Sequence, residues 1–159
     1  MATITPKQIF GTAQTVIDTS TDIASLNFSG SPAAEFNNTN DATVPYATHA
    51  IAMAEFPDWA SAPVAGTVVE LWGLLKDVDG ADDDTQAPAS TASGGARYFG
   101  SFVMSADDAL QRRTITISLL GVQKVDFYIK NGTAQNMNND GGTNCVVKVT
   151  PFVIGAVSA

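Results

Sequence analysis

One imidazole, one thiol and sixteen carboxylates make up most of the chemical repertoire of this chain. Nucleophilic catalysis by a Ser-His or Cys-His pair needs a base beside the nucleophile, and only His49 can supply an imidazole. It lies in the apolar stretch Thr48-His49-Ala50-Ile51, where a strand histidine satisfied by a neighbouring hydroxyl accounts for it without any reaction. Cys145, in Cys145-Val146-Val147, reads as a small buried hydrophobe. Being the sole cysteine, it can form no intramolecular disulfide and leaves the redox compartment open. Asp77, Asp79, Asp82, Asp83 and Asp84 bring five of the sixteen acidic residues into one short run. Crowded carboxylates repel one another, and a calcium ion with its six to eight oxygen ligands would relieve them. The spacing lacks the glycine and the bidentate Glu of an EF-hand loop, so a solvated acidic loop stands beside calcium as a reading. No other cofactor is expected. Gly94-Gly95 and Gly141-Gly142 lack the flanking residues of a phosphate-binding loop and read as turns. Of the two tryptophans, Trp72 in Val68-Val69-Glu70-Leu71-Trp72 reads as core. Trp59 in Pro57-Asp58-Trp59-Ala60 reads as an exposed contact for a glycan or a partner.

Val16-Ile17-Asp18-Thr19-Ser20-Thr21 resembles the catalytic turn of aspartic proteases. That chemistry requires two carboxylates sharing a proton; there is no second copy of the turn, and Ser20 stands where the family has glycine. A strand-end turn explains the residues. The Asn-x-Ser/Thr triplets at Asn27, Asn37 and Asn131 matter only in a glycosylating secretory pathway, and the stretch Met1-Ala2-Thr3-Ile4-Thr5-Pro6 has neither the basic nor the apolar region of a signal peptide. No apolar run approaches the roughly 20 residues that span a bilayer.

The net charge of −8 and the pI near 4.3 exclude the basic footprint by which proteins hold nucleic acid non-specifically. The charge is uneven: residues 1–96 carry two basic and twelve acidic side chains, residues 97–159 six basic and four acidic. Either folding segregates these halves into complementary faces that help copies meet, or the strands of a sandwich interleave them.

What positions these residues is a series of short runs with period-two alternation, separated by turn-forming residues. Seven or eight such runs can be drawn: residues 13–18, 23–28, 48–56, 66–76, 97–104, 113–119, 121–130 and 143–154. In the third, Ala50, Ala52, Ala54 and Phe56 share one face and Ile51 and Met53 the other, so burial on both sides is expected. Asn131-Gly132 after Phe127-Tyr128-Ile129-Lys130 predicts a type I′ hairpin turn. Ser105 to Gln111 predicts a single helical turn capped by Ser105, with Asp108 completing a box. Two connections, residues 29–47 and 77–96, are longer than most loops of compact domains and point to contacts or function.

At 159 residues the chain suits one domain, residues 1–159, that can bury about two-thirds of its surface without a disulfide or metal staple. The charged fraction of 15% is low against roughly 25% in average proteins, and Thr, Ser, Asn, Ala and Gly take its place. The expected fold is an all-β, antiparallel β-sandwich of jelly-roll or Greek-key type with two long loops. The Ala/Thr/Ser/Asn/Gly-rich composition, the Met-Ala-Thr-Ile start and the last strand followed by Gly155-Ala156-Val157-Ser158-Ala159 resemble small bacteriophage virion proteins of the head decoration, or cement, type. The resemblance covers the whole chain in style and rests on no diagnostic motif. It implies a non-enzymatic structural protein made in the host cytoplasm and incorporated into the virion, where a homo-oligomer binds its own copies and a shell or tail protein and stabilises the capsid. Neither nucleic acid nor membrane is an expected partner. The alternative is a tail or surface carbohydrate-binding, lectin-like module.

Overall fold

The computed structural model describes residues 4–30, 32–76, 87–137 and 143–158. Among these there is no helix and there are nine strands: β1 (Ile4–Phe10), β2 (Gln14–Thr19), β3 (Phe36–Asn37), β4 (His49–Phe56), β5 (Val68–Lys76), β6 (Arg97–Val103), β7 (Gln111–Ser118), β8 (Lys124–Asn131) and β9 (Cys145–Ser158). All pairings are antiparallel. One sheet runs β2-β9-β4-β7, with β1 on the β2 side of β9; the other runs β3-β8-β5-β6.

The pairs β2-β9, β3-β8, β4-β7 and β5-β6 nest inside one another along the chain, as if one long hairpin had been rolled up. The contacts β4-β9 and β5-β8 knit the rolled pairs into two sheets. This is the jelly roll, two Greek keys closed face to face. The expected all-β sandwich is therefore the fold.

Alternation decides the faces. On β4, Ala50, Ala52, Ala54 and Phe56 are fully buried, while Met53 is exposed and Ile51 half-buried, so only one face of this strand is covered and the two-sided expectation fails. The small alanines leave room between the sheets for Phe36, Phe99 and Phe127, whose rings meet edge-on at 5.1–5.9 Å, and for Phe102 against Phe56. Large side chains facing small ones fill the roughly 10 Å between sheets at native density.

Residues 23–28 do not form a strand; only Ile23 and Phe28 make isolated bridges, to Met137 and Lys130. Asn131-Gly132 is not a hairpin turn, since neither residue has positive φ and Asn131 is the last residue of β8. Its side chain is buried and acts as a strut. The amide donates to the carbonyls of Ile23 and Gln135, and its oxygen accepts from the backbone and hydroxyl of Thr133 at 2.8–3.1 Å. Gln111 likewise replaces the expected helical turn at Ser105: its side-chain oxygen accepts from the Ser105 backbone N–H and hydroxyl, and its amide donates to the carbonyls of Ser105 and Asp107. An amide side chain that satisfies several loop groups at once removes the drive to form a helix there.

Residues 29–47, expected as a bare loop, carry β3 and bury Phe36, Asn38, Asp41, Val44 and Ala47. Asp41 ties this segment to the β1-β2 turn, accepting backbone hydrogen bonds from Thr12, Thr43 and Val44. A side chain at Gly11 would collide with the Asp41 carboxylate and with Val44, so the turn requires glycine. The Thr12 N–H, first among these donors, holds the Asp41 carboxyl below its ordinary 3.8. A carboxyl whose folded pKa is depressed contributes stability that is present above its unfolded pKa and lost as pH falls through the folded value. Acid unfolding followed by fluorescence is therefore expected to show the gap in stability between wild type and Asp41→Asn closing below about pH 4; a gap constant from pH 7 to 2 would contradict this role.

The two charge halves interleave. Each sheet draws strands from both, and the ion pairs Lys76–Asp126, Glu55–Arg112 and Glu35–Lys124, at 2.7–3.4 Å, each join one half to the other.

Candidate functional site

β9 is the longest strand, with 14 residues, because the apolar alternation from Cys145 to Ile154 runs on through Gly155 and Ala156 without a turn residue that must break it. Its neighbours do not match that length. β2 pairs with it between Cys145 and Val149, and β4 between Val146 and Phe152. Beyond Phe152 the only partner among the described residues is β1, in register from Phe10↔Phe152 to Ile4↔Ser158.

Residues 153–158 and β1 therefore form a two-stranded ribbon roughly 20 Å long at about 3.3 Å per residue, with no third strand beside it among the described residues. Both edges of the ribbon, the side of β9 that β4 has left and the outer side of β1, carry backbone N–H and C=O groups with no strand beside them among the described residues. Pro6 fits here because proline is confined to edges and bulges of sheets. A lone two-stranded ribbon is marginal in water, and an open edge is a template for another strand.

The root of the ribbon is apolar. Phe10, Phe152 and His49 lie in one row across β1, β9 and β4, with neighbouring ring centroids 5.6 Å apart. Phe10 is 45% exposed and Ile154, next along the same face, 64%. Tyr46, three residues before His49, is 61% exposed, and Leu120, which follows β7 at the sheet edge opposite β1, is 70% exposed. Exposed apolar neighbours such as Phe10 and Ile154, on paired strands and one face, mark a candidate interaction surface. Ile9 and Val153 on the opposite face pack onto the core and anchor the ribbon.

No family model and no curated protein matches the chain.

His49 is half-buried, stacked on Phe152, with Nδ1 2.9 Å from the Thr48 hydroxyl. Ser118 is opposite it in register, but the Ser118 hydroxyl accepts from the Leu120 N–H at 3.4 Å. The hollow lined by Met53, Glu55, Arg112 and Lys148 on the outer face of the same sheet does not include His49. Cys145 is fully buried, and burial, helped by Asp18, pushes its thiol pKa far up, which makes it inert. Asp18, next to last in β2, accepts from the Asn144 amide at 2.6 Å, while Thr19 Oγ1 accepts from the Thr21 N–H in a side-chain turn.

Trp59 is not an exposed contact. It is 4% exposed, within the core cluster, and bridges to Met137. The tryptophans have exchanged roles, for Trp72 is only partly buried and lies on the outer face of the second sheet. Asp77, Asp79, Asp82, Asp83 and Asp84 lie outside the described residues, and calcium there remains an expectation. The candidate element with no counterpart among the runs drawn from the sequence is β1. Pro6, Lys7 and Gln8 interrupt the alternation of Ile4, Ile9 and Phe10, and the pairing that makes the segment a strand is with residues some 150 positions away.

Proposed function

We propose that this chain is a non-enzymatic structural subunit of a virion, of the capsid decoration or cement type, which stabilises the particle through contacts made by its terminal ribbon. The observation that carries the proposal is the ribbon itself, whose two edges have no strand beside them among the described residues and whose root exposes Phe10 and Ile154. A neighbouring copy or shell protein that adds a strand would satisfy the open backbone groups and cover the apolar root, which is recognition by strand addition. The jelly roll supports this as an architectural analogy, since viral capsid and lectin domains share it. His49, stacked on Phe152 and hydrogen-bonded to Thr48, serves the surface as an aromatic element rather than as a base. The partners are its own copies and a shell or tail protein, and the place of action is the virion.

The test is stoichiometry. In particles purified from the host that carries the gene, peptides of this chain quantified against the major shell protein are expected at a fixed ratio set by particle symmetry. Absence from purified particles, with abundant protein in the infected lysate, would rule the proposal out.

A further inference from the structure

The outer face of the second sheet carries an aromatic platform that the assembly role does not use. On β5, Val69 and Leu71 point into the core, so Glu70 and Trp72 point out. Trp72 is opposite Tyr128 on β8, and Glu70 is opposite Lys130. On β6 the register slips by one between Leu71 and Trp72. Without that bulge Phe99 would lie opposite Trp72; with it, Phe99 turns inward onto Phe127, and Tyr98 takes the outer place. Bulges re-aim side chains in this way beside sites.

The result is an ordered set. Trp72 Nε1 donates to Glu70 Oε2 at 2.9 Å, which fixes the indole. Tyr98 meets the indole edge-on at 5.7 Å, and Phe28, from the segment bridged to Lys130 of β8, meets it at 5.8 Å. The Tyr98 hydroxyl is 2.5 Å from Ser101 Oγ, and Tyr98 is 54% exposed. Lys130 Nζ sits 5.6 Å over the Phe28 ring. Among the described residues Glu70 Oε1 accepts no hydrogen bond and Lys130 makes no ion pair.

From this juxtaposition we infer a second binding site, for a neutral glycan, in which the apolar face of a pyranose ring stacks on Trp72 and Tyr98 and its hydroxyls bond to Glu70, Ser101 and Lys130. The platform pairs oriented aromatic faces with an open acceptor and an open cationic donor, which is the mixture that a sugar ring, apolar on its faces and hydroxylated at its rim, requires. A net charge of −8 weighs against a polyanion there. The site goes beyond the assembly reading and stands or falls independently of it, because it uses the opposite sheet from the ribbon.

The two tryptophans supply the experiment. In a two-dimensional NMR titration of the whole chain with cellohexaose, chitohexaose, maltohexaose and lactose at millimolar concentration, the indole N–H of Trp72 is expected to shift saturably with at least one glycan. The indole N–H of buried Trp59 should stay in place. Tyr98→Ala, an exposed change that leaves the core intact, is expected to weaken that binding roughly tenfold, and Trp72→Phe less than Trp72→Ala. No shift of Trp72 with any of the four, equal shifts of Trp72 and Trp59, or unchanged affinity in Tyr98→Ala would overturn the inference. So would a Trp72 signal that moves with protein concentration alone, which would give the face to a second copy.

Discussion

Asn131→Ala is expected to lower the free energy of unfolding by about 2–4 kcal/mol, because it strands several buried groups at once. The Asn131 amide is the shared partner of the Ile23 and Gln135 carbonyls, and its oxygen is the acceptor for the backbone and hydroxyl of Thr133. Asn131 and Thr133 are both fully buried, so water cannot replace these bonds without opening the end of β8. A buried donor or acceptor left without a partner costs about 1–3 kcal/mol, and the groups here share one network, so their losses do not simply add. Against a total stability of about 5–15 kcal/mol for a domain, the variant should melt well below wild type. Asn40→Ala is the control, since Asn40 is exposed and accepts only from Thr39 Oγ1 at 3.4 Å. It is expected to stay within about 0.5 kcal/mol of wild type. Urea unfolding of the three proteins checks this, and equal midpoints for all three would contradict the strut.

Removal of residues 1–10 is expected to reduce occupancy in the particle at least tenfold while the sandwich still unfolds cooperatively. β9 keeps β4 and β2 along its first half after the deletion, so the jelly roll retains every nested pair. What goes is β1, and with it the ribbon and the exposed Phe10. Burying one such side chain against a partner is worth roughly 1.5–3 kcal/mol, enough by itself for a tenfold change in affinity. The paired substitution Phe10→Asp with Ile154→Asp separates loss of the apolar root from loss of the strand, and is expected to lower occupancy in the same direction. Occupancy is read by densitometry of purified particles, and cooperativity by a thermal melt of the free protein. Wild-type occupancy for both changes would leave the ribbon without a role.

The parts of this molecule that were legible in its sequence are those governed by local alternation. Thr114-Ile115-Thr116-Ile117 and Val68-Val69-Glu70-Leu71 declare a strand wherever they are placed, because one face must be buried. The positions misread are those where a distant partner decides. β1 is a strand only because the end of β9 lies beside it. Asn131-Gly132 has the local signature of a hairpin, but the buried amide of Asn131 is worth more as a link to the segment around Ile23, more than 100 residues away in sequence. The tryptophans show the same limit. Trp59 is flanked by Pro57 and Asp58, as an exposed loop residue would be, yet its loop folds onto Met137 and closes the core. Trp72 sits among apolar neighbours as a core residue would, yet its position on β5 puts it on the outer face. Position along the strand, relative to Leu71, carried that information; composition did not.

The most direct measurement of the ribbon's role is amide hydrogen exchange of residues 153–158 in the free chain and in the assembled particle. Exchange reports local opening free energies, which are near zero for unsupported ribbons and high for central strands. The predicted result is fast exchange of residues 153–158 in the free protein, slowed by orders of magnitude in the particle, while residues 146–152, held by β4 on one side, exchange slowly in both. Equal exchange of residues 153–158 in the two states, whether fast or slow, would contradict a contact made through the ribbon.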